Sequence, residues 1–366
     1  MSVPLSADAR DLLALHLVPG LGPRLTAALL GRFGSAGAAL QATAEQLQEI
    51  PHIGGKLARD LSQAMRRVDV VEEWELIEKC GVRLLVRGQD GFPASLENIP
   101  DPPHLLYVRG TLLPGDARSL ALVGSRGCSS YGRKMTERLA SGLARAGYTV
   151  ISGLARGIDG AAHRGALQAG GRTIGVLAGG LSKIYPPEHT DLAQEVAGAG
   201  ALATESAMRM EPMAGMFPAR NRIISGLAKG VVVVEAAARS GALITASHAA
   251  EQGRPVFAVP GPLDSPLSAG THELLRKGAI LIRGVEDILE ELEGVKPNAK
   301  PPAAQPPPAL DETQRRIWEF LGERPRHLDD MTQQLGLPVQ QLAGMLFTME
   351  MKKIVRRLPG NQYERC

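Results

Sequence analysis

Three short segments of this chain set guanidinium groups beside glycine, serine or an amide: Gly124-Ser125-Arg126-Gly127, Ser152-Gly153-Leu154-Ala155-Arg156-Gly157 and Phe217-Pro218-Ala219-Arg220-Asn221-Arg222. Backbone amides freed by glycine can point at an anion, and arginine adds a planar, permanently charged donor. In the third segment the donors of Arg220, Asn221 and Arg222 can bond phosphate and base edges, while the Phe217 ring offers a face on which a base can stack. That combination suits single-stranded nucleic acid. The alternative is structural, with Arg220 and Arg222 pairing to Glu205 or Glu235. Lys183 and Tyr185, in Gly180-Leu-Ser-Lys-Ile-Tyr-Pro186, stand on a further loop of the same character.

Other chemistry is weakly supported. G-x-G-x-x-G would need glycine where Arg126 stands, which disfavours NAD, and the approach to a P-loop at Gly127–Gly132 fails at Arg133-Lys134. Asp159 and His163, four apart on a helix, could be an acid/base pair or half a metal site, or a helix-start carboxylate that supports the glycine loop. His272-Glu273 lacks the second histidine of a zinc-protease motif. Glu205 and Glu235 end two apolar runs without other features of a hydrolytic site.

The elements that position these residues are short apolar runs alternating with helical patterns: Leu120–Val123, Thr149–Ile151, Thr173–Leu177, Ala201–Thr204, Val231–Val234, Val256–Val259 and Ala279–Ile282. Continuous apolar strands with crossover helices predict an α/β fold, a doubly wound, mainly parallel sheet covered on both faces. Ligands of such sheets bind outside the carboxyl ends of the strands, where the glycine and arginine loops fall.

Around this core the chain divides further. Residues 1–70 predict an all-helical domain, 71–295 the α/β domain, 296–309 a proline-rich linker and 310–366 a small separate domain. In the helical part, Leu17-Val-Pro-Gly-Leu-Gly-Pro-Arg24 and Glu49-Ile-Pro-His-Ile-Gly-Gly-Lys56 resemble helix-hairpin-helix motifs, although His52 stands where the first has Gly20. A small helical bundle used for protein contacts is the alternative. The last domain predicts three helices and two short strands around Pro359-Gly360, in winged-helix order. Its would-be recognition helix, Val339–Glu350, carries no Lys or Arg, which speaks against major-groove reading.

Bulk properties exclude several classes. With 366 residues, 44% hydrophobic and 22% charged, the chain is a multi-domain globular protein. No stretch approaches the roughly 18 apolar residues of a membrane span, and no signal peptide is recognisable, so a cytoplasmic location is expected. Its three cysteines are scattered, without a metal or disulfide framework. The net charge of +3 conceals a basic centre: Asp116–Gly230 carries 14 Lys/Arg against 8 Asp/Glu, between acidic flanks. Such an excess suits an anionic partner, as would a solvated mixed surface.

Val123-Gly-Ser-Arg126, Ser152–Asp159 with His163, Phe217–Arg222, Val234-Glu-Ala236 with Ser240-Gly-Ala-Leu-Ile-Thr245, and Arg254–Gly261 together resemble the DNA-processing protein A family (DprA, also called Smf). The match is dense from about Asp101 to Arg283. The resemblance implies an extended Rossmann-like domain flanked by a helical, sterile-alpha-motif-like or hairpin domain and a winged-helix domain. It implies a non-enzymatic recombination mediator of natural transformation that binds incoming single-stranded DNA, works beside single-strand-binding protein and loads RecA, without cofactor or metal. Homodimerisation through the Rossmann-like domain is part of the same expectation.

Carried over by residue, the DNA pocket involves Ser125, Arg126, Phe217, Arg220 and Asn221, to which Arg156, Lys183, Arg222 and Ser240 are added. One departure is Pro187-Glu188 after Tyr185-Pro186, where some members have a basic residue; a phosphate contact there would fall to Lys183. The competing reading is a nucleoside-monophosphate phosphoribohydrolase-like enzyme on a related fold. Its P-G-G-x-G-T-x-x-E loop corresponds to Glu235–Thr245, which lacks the glycine pair and the final glutamate.

Overall fold

The apolar runs lie side by side in one nine-stranded sheet. In the computed structural model, which describes residues 6–294, 310–322 and 325–365, the strands are β1 (Val82–Val86), β2 (Leu105–Gly110), β3 (Ser119–Val123), β4 (Thr149–Ser152), β5 (Thr173–Val176), β6 (Ala201–Thr204), β7 (Val231–Val233), β8 (Val256–Ala258) and β9 (Ile280–Leu281). Their order is β1-β2-β6-β5-β4-β3-β7-β8-β9. Every pair from β6 to β9 is parallel. Strands β1 and β2 are additional to the seven predicted and extend the β6 edge antiparallel.

The chain enters the parallel part at β3, builds outward to β6, then returns to the other side of β3 for β7 to β9. The winding therefore reverses between β3 and β7, which opens a crevice at the carboxyl ends of these strands. Alternation within β3 serves both faces. Leu120 and Leu122 pack with Leu139, Leu143, Ile158 and Phe257. Ala121 and Val123 pack with Ile151, Ile223, Leu227 and Ala246 on the other side. Both faces are buried, as continuous apolar strands require.

The helices before β1 share a core with the sheet edge: Leu13, Leu29, Leu47, Leu61 and Ile77 belong to one cluster with Leu105, Tyr107 and Leu202. Buried Glu73 accepts a hydrogen bond from the Met208 amide at 2.7 Å. Accordingly the chain divides into two compact units, Met1–Lys296 and Pro297–Cys366. The linker predicted at 296–309 lies outside the described residues. Both predicted hairpin turns form, Gly20 at φ 88° and His52 at φ 71°. The histidine takes up the left-handed backbone that glycine adopts freely, at a cost of about 1–2 kcal/mol, so the repeat survives its substitution.

The second unit has the winged-helix order: helix Glu312–Leu321, β10 (Arg326–His327), helices Leu328–Leu335 and Val339–Met351, then β11 (Val355–Leu358) and β12 (Gln362–Arg365). Ile317, Met331, Leu342, Leu346 and Tyr363 form its core. The outer face of Val339–Met351 exposes Val339, Phe347 and Met351. Near the wing, Arg356 is paired with Glu364. Among the described residues no helix is long and apolar enough to cross a membrane.

Candidate nucleic-acid interface

Two loops press together to form the floor of the crevice. Gly157 opens the helix Ile158–Gln168 at φ 72°, and a Cβ there would meet the Ser125 carbonyl at 2.2 Å. The Ile158 amide donates to that carbonyl at 3.2 Å and the Ser125 amide donates to Glu235 O at 2.8 Å, tying the β3 loop to its neighbours after β4 and β7. The Ser125 hydroxyl accepts from the Gly127 amide at 3.2 Å, which holds the turn that presents Arg126.

Arg126 is exposed, and its guanidinium lies 4.6 Å over the centre of the Phe217 ring. Among the described residues it has no carboxylate partner. The Tyr185 ring, 42% exposed, stands 6.2 Å beyond Phe217 at 57°. Arg126, Phe217, Ala155 and Arg220 form the wall shared by two cavities. On one side is a narrow slot bounded by Arg156, Gly179, Lys183 and Tyr185. On the other is a cleft of about 380 Å³ bounded by Ser125, Asn221, Arg239, Ser240 and Thr245, within the range of small-molecule sites. Arginine over an aromatic face, flanked by open space, is a platform on which a base can stack while a phosphate meets the cation.

The remaining arginines of the Phe217–Arg222 segment are placed differently from expectation. Arg222 is a correction: it is buried against Glu205 in an ion pair, so it does not face DNA. Burial raises the Glu205 carboxyl above its ordinary pKa, opposed by that guanidinium. Arg220 and Asn221 line the cleft, but their donors are committed. Arg220 donates to the carbonyls of Gly153, at 2.7 Å, and Val176, while its Nε donates to Asn221 Oδ1 at 3.2 Å. Asn221 in turn donates to Gly241 O at 3.2 Å. A turn of helix starting at Met216 leaves Phe217 half-exposed and carries residues 220–222 inward over the strand ends. Arg220 is thus a clamp between the β4 and β5 loops.

Arg156 and Lys183 stay at the surface, paired with Glu188 and Glu211. Exposed pairs of this kind are worth about 0–1 kcal/mol, so a phosphate can replace either carboxylate. Ser240 accepts from the Ala242 amide at 3.3 Å and shapes the start of the helix Ala242–Glu251. One residue, Arg239, is an addition to the expected set, and one candidate, Tyr185, gains a partner. Arg239, exposed in the loop after β7, lines the cleft; its signal was a basic residue following a strand end, as at Arg126. Tyr185 stacks beside Phe217, a contact that no spacing in the sequence announces.

The carboxylates weighed above for hydrolysis or acid/base chemistry are engaged. Glu235 accepts from Ser129 through the amide at 2.9 Å and the hydroxyl at 2.5 Å. Asp159 is buried and accepts from the Ala155 amide at 3.3 Å, supporting the glycine loop. Burial raises its pKa, and the Arg220 charge opposes the shift. The Thr173 hydroxyl donates to Val150 O at 2.8 Å and so must accept from His163 Nδ1 at 2.7 Å. Nδ1 therefore carries a proton, and Nε2 is buried and unpartnered among the described residues.

Burial, aided by the charges of His189, Arg164 and Arg220, draws the His163 pKa from 6.5 to about 3. The folded pKa lies below the unfolded one, so stability is greatest above pH 6.5 and falls as the pH drops through that value. The expected loss from this group is about 2 kcal/mol by pH 5. Urea midpoints between pH 6.5 and 5 check it: His163→Gln should flatten the slope by about one proton, and an unchanged slope would refute the assignment.

With the geometry in place, comparison with known proteins is specific. Residues 83–293 match the family model of DNA recombination-mediator protein A, and residues 301–361 match the DprA winged helix domain. Protein Smf of Escherichia coli K12 is 40% identical over 290 residues, covering 78% of each chain. The crystal structure of DNA processing protein A from Streptococcus pneumoniae covers 80% of this chain and 99% of its own, with a TM-score of 0.68 at 32% identity. DNA processing protein A from Helicobacter pylori, described for its unique single-stranded DNA binding mode, covers 58% of this chain and 95% of its own, with a TM-score of 0.53 at 31% identity. A Rossmann-like sheet with the family's strand-end motifs, followed by the family's winged helix, places this chain in the DNA-processing protein A (DprA/Smf) family.

Proposed function

We propose that this chain binds single-stranded DNA along the carboxyl rim of its sheet and acts, without catalysing a reaction, as a recombination mediator of natural transformation that delivers the strand to RecA in the cytoplasm. The observation that carries the reading is the exposed Arg126 guanidinium, lacking a carboxylate partner among the described residues, stacked on Phe217 between two open cavities. The single-stranded DNA binding mode described for the Helicobacter pylori relative supports it. Work beside single-strand-binding protein and dimerisation through the Rossmann-like domain belong to the same proposal and rest on family membership alone.

Fluorescence anisotropy with labelled oligo(dT) tests the binding step. Arg126→Ala should weaken affinity by about tenfold and reduce the salt slope by about 0.7, the increment for one phosphate no longer neutralised on a single strand. Unchanged affinity and slope would overturn the reading. The mediator step predicts faster RecA filament growth on strands precoated with single-strand-binding protein. Release of free adenine from AMP by the purified protein would favour the phosphoribohydrolase alternative instead.

A further inference from the structure

The N-terminal helices carry a charged surface that the rim does not use. We propose that the exposed face of the helix Gly55–Met65, continued by Arg66 and Arg67, is a second DNA contact, which grips the phosphate backbone of a duplex without touching bases. Ala58, Leu61, Ser62 and Met65 bury one side of this helix. Lys56, Arg59, Asp60, Gln63, Arg66 and Arg67 are exposed, Asp60 lying outside the groove lining. Arg59, Arg66 and Arg67 line a groove of about 540 Å³ together with Thr43, Glu45 and Gln63.

The charge in this groove is not balanced in the usual way. Beside the first hairpin turn two cations are engaged, Arg24 with Asp101 at 2.7 Å and Arg32 with Glu49 at 2.6 Å. Among the described residues none of Lys56, Arg59, Arg66 and Arg67 has such a pair. Glu45 is the one carboxylate lining the groove; bonds from its own backbone amide and the Thr43 hydroxyl, with a smaller contribution from Arg66, hold its pKa below the ordinary value. The helix dipole accounts for part of the pattern only. It favours Arg66 and Arg67 at the carboxyl end but opposes Lys56 in the first turn, which holds no acid. Three arginines facing one carboxylate leave the groove with a net positive charge, which suits an external anion.

The form of that anion follows from reach and from what is missing. Lys56 to Arg67 spans about 16 Å along a helix, the rise of roughly five base pairs of duplex. A small anion would need convergent buried donors, whereas these cations are spread along an open groove. Single strands are held on exposed aromatic platforms, and Phe33, the one Phe, Tyr or Trp before Trp74, does not line the groove. A continuous row of phosphates on a duplex fits what remains. The left-handed His52 turn keeps this hairpin in the geometry of the first.

The test uses the full chain with Lys56→Gln, Arg59→Gln and Arg66→Gln combined, all exposed positions, with thermal melting to verify the fold. Affinity for a short blunt duplex should fall at least about tenfold, and its salt slope by about 0.9 for each phosphate that is no longer neutralised, roughly 2–3 units in all. Binding of short oligo(dT) should be unchanged. Three results would each overturn the proposal: a wild-type protein that does not bind the duplex, a variant that binds it equally well, or an equal loss on duplex and short oligo(dT). Arg126→Ala provides the converse, losing the single strand and keeping the duplex. A failure of that control would sink the rim reading and leave this one standing.

Discussion

Replacing Phe217 with alanine is expected to weaken oligo(dT) binding by about ten- to a hundredfold, because a base stacked on an aromatic ring contributes roughly 1–3 kcal/mol. The ring also supports the Arg126 guanidinium at 4.6 Å, and a cation over an aromatic face contributes about 0.5–2 kcal/mol depending on exposure. The two side chains should therefore be coupled. A double-mutant cycle with Arg126→Ala and Phe217→Ala should show a combined loss about 1 kcal/mol smaller than the sum of the single losses. Phe217→Tyr keeps the π-face and should retain most of the affinity, whereas Phe217→Leu keeps bulk without the face and should behave like alanine. Since the ring is half-exposed, none of these variants should unfold readily. If leucine binds oligo(dT) as well as phenylalanine, the ring is packing and the platform is wrong.

The distinction between platform and packing marks where the sequence stops being legible. Runs such as Val231–Val234 announce buried parallel strands because both faces are apolar, and the glycine and serine beyond them announce a ligand-facing rim. The order of the strands is not announced by any periodicity, so the reversal between β3 and β7 had to come from the structure. The segment Phe217–Arg222 shows the limit most clearly. Its composition reads as one binding motif, yet a helix starting at Met216 keeps the ring at the rim and buries the two guanidiniums. Their acceptors, the carbonyls of Gly153 and Val176 and the carboxylate of Glu205, lie 17 to 67 residues away in the chain. Local spacing carries no information about such partners. His52 is the opposite case, where the residue type argued against a glycine-like turn and the surrounding repeat imposed one.

Those distant acceptors make Arg220→Ala the substitution with the largest expected effect on stability, a loss of about 3–5 kcal/mol, typical when one partner of a buried charged network is removed. Arg220 is 7% exposed, and burial draws its pKa down to about 10, so retention of the charge depends on the acceptors around it. Without it the carbonyls of Gly153 and Val176 lose a donor at the buried wall between the two cavities, and each one left without a replacement costs about 1–3 kcal/mol. Asp159 loses the positive charge that opposes its desolvation. Arg220→Lys should recover little, since a compact ammonium cannot reach both carbonyls and Asn221 with the same fork.

The pH dependence separates the carboxylate from the carbonyls. In the wild type, burial already sets the folded pKa of Asp159 above its unfolded value, and the variant should raise it further. A group shifted upward contributes stability at low pH and loses it as the pH rises through the folded pKa. The deficit of Arg220→Ala relative to wild type should therefore be larger at pH 7.5 than at pH 5, measured by urea unfolding at both. A variant that keeps wild-type stability and loses only DNA affinity would mean that Arg220 leaves its carbonyls to meet the strand, and the clamp would have to be abandoned.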